Sequence, residues 1–392
     1  MRKITADKVY PVTGPAIEQG VVIVGTDGEV LAIDQRSAHD PASLEQHQGV
    51  LIPGLINAHC HLELSHMKAK VATGTGLIPF ITNVVKFREV PEQDILDSIQ
   101  AADREMYDNG IVAVGDISNK LDTAACKDKS DIRYYTFVEM FDFLQDAAAE
   151  AEFTKYFETY KGQSDQNGNN KSCVPHAPYS VSASLFQKIN QVNEGKQLTV
   201  SIHNQETPPE NELFLSKTGG FIDFYGGFGI SLDQFQPTGQ ASIHYALQHM
   251  DPRHRSLFVH NTLTTVADIQ AAHAWSDQVY WVTCPNANLY IENRLPNYQH
   301  FLDTDARLTI GTDSLTSNWQ LSILEEMKSI QRYQSYVTFE QMLSWACLNG
   351  ANALGYGAEL GSLEVGKKPG VLLLKGLEDG VLQAHASVQR LA

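Results

Sequence analysis

Three things are scarce in this chain, and each scarcity excludes something. Its five cysteines (Cys60, Cys126, Cys173, Cys284 and Cys347) lie far apart, are odd in number and never form Cys-x-x-Cys. A disulfide framework and a cysteine-rich zinc site are therefore not expected, and a reducing, cytoplasmic setting is. No apolar run approaches the roughly 18 residues of a membrane span, and the start, Met-Arg-Lys-Ile-Thr-Ala-Asp, has no apolar export core. No membrane partner is expected. Basic residues are also short: 29 Lys and Arg stand against 46 Asp and Glu, a formal net charge of −17. With no Lys/Arg stripe, such a surface repels phosphate, so nucleic acid is not an expected partner. A Gly-x-Gly-x-x-Gly after an early strand is missing too, which argues against an open dinucleotide-binding sheet.

What is present is a core-forming chain, 43% hydrophobic over 392 residues. Residues 1–50 read as short strands with turns: Ile4–Val12, Gly20–Val24, and Val30–Asp34 after Thr-Asp-Gly. The other end repeats that character at Val371–Lys375 and Val381–Ala384. The expectation is a small β-sandwich built from both termini, 1–50 plus 355–392. Between them, residues 51–354 alternate apolar runs with amphipathic stretches. The strand candidates are Val50–Asn57, Ile111–Asp116, Ile132–Glu139, Ser172–His176, Leu198–His203, Ser256–His260, Val279–Cys284 and Arg307–Asp313. Segments such as Glu92–Asn109, Ser182–Glu194, Thr265–Trp275 and Ser322–Tyr333 are the helical partners. Eight β–α repeats over about 300 residues predict an α/β fold, a (β/α)8 TIM barrel with its active site at the strands' C-terminal ends. Gly162–Lys171 reads as a surface loop, and the glycine-rich Gly219–Gly229 as a mobile loop near the mouth, a candidate lid.

The polar residues that close these strands carry the chemistry. The first strand runs into His59-x-His61, whose rings share one face because residues i and i+2 of a strand do. The fourth ends in His176, the fifth in His203, the sixth in His260 and the eighth in Asp313. Any one of them alone reads as a buried histidine satisfied by hydrogen bonds. Five such ends converging on one barrel face point instead to a metal site.

Pro53-Gly54-Leu55-Ile56-Asn57-Ala58-His59-x-His61, Pro175-His176-Ala177-Pro178-Tyr179, His203-x-x-Glu206, Val259-His260-Asn261 and Gly311-Thr312-Asp313-Ser314 together resemble the amidohydrolase superfamily. More narrowly they resemble its mononuclear-zinc aminohydrolase branch, which includes S-adenosylhomocysteine, guanine and aminodeoxyfutalosine deaminases. His61-Leu-Glu63 followed by Ser65 is most similar to the aminodeoxyfutalosine group, and Cys284-Pro-Asn-Ala-Asn-Leu-Tyr290 resembles the branch's strand-7 segment. The resemblance implies that His59, His61, His203 and Asp313 hold the metal. It implies one Zn2+, with Fe2+ or Mn2+ fitting the same ligands. Binuclear relatives place a carboxylated lysine at the end of strand 4, whereas here Lys171 stands at that strand's beginning. By the same resemblance Asp313 helps take a proton from water, Glu206 protonates a purine ring nitrogen, and His260 orients the attacking oxygen. His176 and Ser314 would lie against the substrate.

Some residues keep two readings. Glu206 is either that acid or a solvated loop carboxylate near Glu210 and Glu212. Glu63 accepts ribose hydroxyls or serves as a structural cap or ion-pair partner. Lys68, Lys70, Lys86 and Arg88 meet a substrate carboxylate or are surface charge. The family's Gly-Lys-x-Ala-Asp turn is Gly366-Lys-Lys-Pro-Gly370 here, which puts the β-domain turn in question. The expected activity is hydrolytic deamination of an adenosine-type nucleoside, aminodeoxyfutalosine among the candidates. The alternatives are hydrolysis of a ring amide, triazine or free base on the same scaffold, or an inert binding barrel, which would be expected to have lost one of these residues. A small molecule is the expected partner, and a homo-oligomer is left open.

Overall fold

The computed structural model describes all 392 residues. Eight strands run parallel: β1 (Leu55–Cys60), β2 (Ile111–Ile117), β3 (Arg133–Met140), β4 (Asn170–Pro175), β5 (Thr199–Asn204), β6 (Arg255–His260), β7 (Val279–Thr283) and β8 (Leu308–Ile310). They pair as β1-β2-β3-β4 and β5-β6-β7-β8. Almost every residue in them is buried, as expected of parallel strands covered on both faces.

The two halves meet at both seams. The His203 N–H donates to the His176 carbonyl at 2.9 Å, which ties β5 to the exit of β4. The N–H groups of Thr312 and Asp313 both donate to the His59 carbonyl at 3.0 Å, and Cys60 forms an isolated parallel bridge with Asp313. That second seam needs glycine. A Cβ on Gly311 would sit 2.9 Å from both the Cβ and the carbonyl oxygen of His59.

The first expected strand is split in two. Val50–Pro53 pairs antiparallel with Val371–Leu374, and only Leu55–Cys60 enters the parallel set. Pro53 ends one strand, and Gly54 passes where a Cβ would lie 2.3 Å from Val112 Cγ1, so the chain changes sheets there. The last expected strand shortens to Leu308–Ile310, because residues 312–313 bend to reach His59. The Gly219–Gly229 loop is instead a helix, Gly220–Gly227, anchored by buried Phe221 and Tyr225. An apolar face outweighed its glycines.

Both termini build two further sheets. One orders Val30–Gln35, Gly20–Val24, Arg2–Thr5 and Glu45–Gln46, and the other Val381–Arg390, Val371–Glu378, Val50–Pro53, Lys8–Val9 and Ile17–Glu18. Ten buried apolar residues, among them Ile4, Val22, Leu51 and Leu373, join them in a separate core. The altered 366–370 turn keeps its function of linking elements. Gly366 N and Lys367 O bond to Val30, and Pro369 O accepts from Gly54 N at 3.0 Å.

Beneath the loop that follows His61 lies a buried ion pair. Asp116, near the end of β2, accepts the Leu62 N–H at 2.7 Å and pairs with Lys127 Nζ at 2.6 Å, both side chains being almost fully buried. Lys127 also donates to Ser118 and Thr136. Removing one partner strands the other charge. Lys127→Met is expected to lower unfolding stability by about 3–5 kcal/mol in chemical denaturation. A loss under about 1 kcal/mol would show that Asp116 needs no compensation there.

Candidate active site

The imidazoles of His59 and His61 at the end of β1 and of His203 on β5 point at one another. His61 Nε2 is 3.1 Å from His59 Nε2 and 3.3 Å from His203 Nε2. Asp313 Oδ1, just past β8, lies 3.6 Å from His59 Nε2 and 3.3 Å from His61 Nε2. Burial pushes His59, His61, His176 and His260 down to about 4, so these rings are neutral near pH 7. The Nε2 atoms of His59, His61 and His203 face one another so closely that no hydrogen bond among them can satisfy all three together. His59, His61 and His203 form one group that could hold a divalent metal, and His59, His260 and Asp313 an overlapping one; β1 and β8, which bring His59, His61 and Asp313 together, adjoin where the seam closes. Burial would raise the Asp313 carboxyl, but the His59, His61 and His260 rings outweigh it and hold the group well below the usual range.

The strand exits are strained. His260, Asn261, Asp313 and Gln205 adopt positive φ of 73°, 59°, 57° and 46° without being glycine. Such strain persists where surroundings over-determine the backbone, commonly at functional sites. Here the surroundings are visible. Asn261 Nδ2 donates to the carbonyls of Phe258 (2.7 Å) and Val282 (3.1 Å), and Asn318 Nδ2 donates to Thr312 O (2.8 Å). Buried Glu326 accepts from Asn318 and Asn286, tying the β7 and β8 exits together.

Glu206 is 4% exposed, which removes the solvated-loop reading. Burial, with Asp313 and Glu210 nearby, drives its carboxyl well above the ordinary value despite His203. Its backbone is fixed by Glu210, whose two oxygens accept from Gln205 N (2.9 Å) and Glu206 N (3.0 Å). His260 Nε2 is 3.7 Å from Glu206 Oε1, while its Nδ1 meets Asn288 Oδ1 at 2.9 Å. Because an amide oxygen only accepts, Nδ1 carries the proton and Nε2 faces the site as an acceptor. His176 Nδ1 is 2.6 Å from Ser180 Oγ.

These groups share one cavity of about 230 Å³, which His61, Glu63, His176, His203, Glu206, His260, Asp313 and Ser314 all line. His59 lies beneath it, fully buried. Glu63 combines features of both its readings. Its Oε2 accepts from Asn119 N (2.9 Å) and Lys120 N (3.2 Å), while Oε1 makes no hydrogen bond within the chain. Burial raises its carboxyl to about 7. Of the four basic residues, only Arg88 lines the cavity; Lys68 pairs with Glu105 at 3.8 Å and Lys86 lies over the Phe87 ring. Lys171 bonds the Gln163 carbonyl at the far end of β4, so no lysine stands among the histidines.

Sequence reasoning missed Glu139, Asn119 and Asn288. Glu139 lies at the end of β3, buried, with Oε1 3.2 Å from His203 Nδ1 and Oε2 accepting from Asn119 Nδ2 at 3.2 Å. Burial would raise its carboxyl, but the His176 and His203 rings hold it well below the carboxylate range; Glu139 in turn outweighs burial at His203 and lifts it to about 9. The signal was available, since Glu139 closes an apolar strand just as the histidines do.

The chain belongs to the amidohydrolase family, whose model matches residues 50–388. It is 27% identical over 348 residues to an aminodeoxyfutalosine deaminase of Nitratiruptor sp., covering 86% of this chain and 80% of that one. It is 25% identical over 280 residues to an adenosine deaminase of Helicobacter pylori, covering 71% and 67%. Its fold matches the crystal structure of Helicobacter pylori aminofutalosine deaminase in complex with methylthio-coformycin, with a TM-score of 0.84, 21% identity and full coverage of both chains. A zinc-bound adenosine deaminase from Xanthomonas campestris aligns at a TM-score of 0.75 and 22% identity, over 98% of this chain and 86% of that one.

The donor set makes a direct prediction. Purified protein is expected to hold about one divalent metal per chain, and His61→Ala or Asp313→Ala to lose it. Elemental analysis checks this; two metals per chain, or full retention in both variants, would contradict the assigned ligands.

Proposed function

We propose that this protein is a metal-dependent hydrolase that deaminates an adenosine-type nucleoside, replacing the ring amino group by oxygen and releasing ammonia. We read the eight parallel strands as a closed (β/α)8 barrel, residues 54–354, and the two terminal sheets as a β-sandwich of residues 1–53 plus 355–392. The observation that carries the activity is Glu206, a buried carboxyl lining the same cavity as the converging imidazoles, its proton affinity raised by burial. Ring-nitrogen protonation by such an acid makes the amino-bearing carbon electrophilic. Deaminases among the relatives support the same reading.

His59, His61, His203 and Asp313 would hold one metal, with zinc the best match to three imidazoles and a carboxylate and Fe2+ or Mn2+ alternatives. A divalent cation there supplies Lewis acidity, which brings the pKa of a coordinated water to about 7. The chain's own groups do the rest. Glu206 donates its proton to the ring nitrogen; the proton taken from water passes by way of Glu206 to the amino group, which leaves as ammonia, and the proton left on the new hydroxyl restores Glu206. Asp313, ionised and hydrogen-bonded by Ser317, accepts a proton from the attacking water. His260 presents Nε2, its tautomer set by Asn288, and so orients that water. His176 and Ser314 flank the heterocycle.

The cavity extends past the polar end along an apolar wall of Phe80, Ile81, Val84, Phe141 and Phe224, with Glu63 and Arg88 between. A free base would leave that arm unfilled. A nucleoside would place its sugar hydroxyls against Glu63 Oε1 and its 5′ end on the apolar wall, which favours a nucleoside over guanine, cytosine or a triazine.

Glu206→Gln is expected to keep fold and metal content while losing about 10²–10⁴-fold in kcat, the scale of a general acid–base group. Turnover close to that of the parent protein, with metal retained, would move the proton shuttle elsewhere.

A further inference from the structure

The site holds a second buried carboxylate that the proposed chemistry does not use. Glu139 is 3% exposed, and no lysine or arginine pairs with it; the one ionisable partner within ion-pair distance is His203, at 3.2 Å. The Nδ1–H of that ring is directed instead at the His176 backbone carbonyl, 2.9 Å away, which leaves Glu139 Oε1 without a hydrogen bond. Oε2 is held by the Asn119 side chain. A carboxylate buried without a permanent cation and without a full set of donors is costly, and the positive charge that can offset it here is that of the His203 ring or of a cation held at that ring's other nitrogen.

The orientation of His203 does not require Glu139, because the backbone carbonyl already fixes the ring and its tautomer. What Glu139 adds is charge. Once a divalent cation takes the place of the His203 proton, three imidazoles and Asp313 leave it one uncompensated positive charge. Glu139 faces the Nδ1 edge of that ring while Nε2 faces His61, and it also lines the cavity, so it can offset that charge.

Resting on the metal-site reading above, we infer that Glu139 is a positioning residue for the metal centre. It neutralises the buried cation through His203 and strengthens that imidazole as a donor, without being a metal ligand itself. Carboxylates hydrogen-bonded behind ligand histidines commonly change metal affinity by 10–100-fold. Here the carboxylate would act through space, beside a ring whose N–H is already engaged.

The test is Zn2+ affinity by chelator competition, measured on the full chain and on Glu139→Gln and Glu139→Asp, with far-UV circular dichroism confirming the fold. Glu139→Gln preserves shape and the Asn119 contact but removes the charge, and is expected to bind Zn2+ about 10–100-fold more weakly. Glu139→Asp keeps the charge and should recover at least part of that loss, which a purely steric role would not give. With Co2+ in place of Zn2+, the visible absorption of Glu139→Gln should keep its parent band positions, because the ligands are unchanged. Equal Zn2+ affinity in parent and Glu139→Gln overturns the inference. If Glu139→Gln does not fold, Glu139→Met takes its place with the same expected loss, and failure of both to fold assigns Glu139 to the core instead. If the parent chain binds no Zn2+, the metal-site reading fails, a different outcome from loss of the charge effect alone.

Discussion

Everything at this site hangs on two hydrogen bonds to one carbonyl. The His59 oxygen accepts the N–H groups of Thr312 and Asp313, and this joins the first parallel strand to the last. Without that closure, Asp313 would not lie within 4 Å of two imidazoles that precede it by about 250 residues in the chain. The closure in turn depends on Gly311, which lets the backbone pass against His59, and on the left-handed turn at Asp313. Asn318 and Glu326 hold that turn from outside.

Burial then divides the carboxyl groups by task. Imidazoles beside Asp313 and Glu139 outweigh burial and pull their carboxyls below the usual range, whereas burial and neighbouring carboxylates push Glu206 well above it. Environment alone shifts like side chains within one cavity in opposite directions. The His59 and His61 rings, held neutral by burial, can each donate a lone pair to a cation.

Much of this was legible in the sequence, for a physical reason. Parallel strands buried on both faces read as apolar runs, so polar residues closing them stand out: His59, His61, His176, His203, His260 and Asp313 are all found by that signal. Glu139 gives the same signal, closing the apolar run Ile132–Glu139. The strand boundary at Pro53-Gly54 was illegible because both halves are equally apolar, and partner choice is a tertiary matter. The 220–227 helix was hidden by its glycines, since only packing of Phe221 and Tyr225 decides for a helix there. Asn119 and Asn288 lie beyond strand ends, where a single sequence carries no periodicity to mark them.

The central claim is that one metal, held at this seam, drives hydrolytic deamination of nucleosides. Metal-stripped protein titrated with Zn2+ while ammonia release is followed tests it most directly, with adenosine and 5′-deoxyadenosine compared against free guanine and cytosine. Release from the nucleosides should rise with added metal and saturate at about one equivalent per chain, well above release from the bases. Saturation at two equivalents, release without metal, or a free base as the better substrate would contradict it.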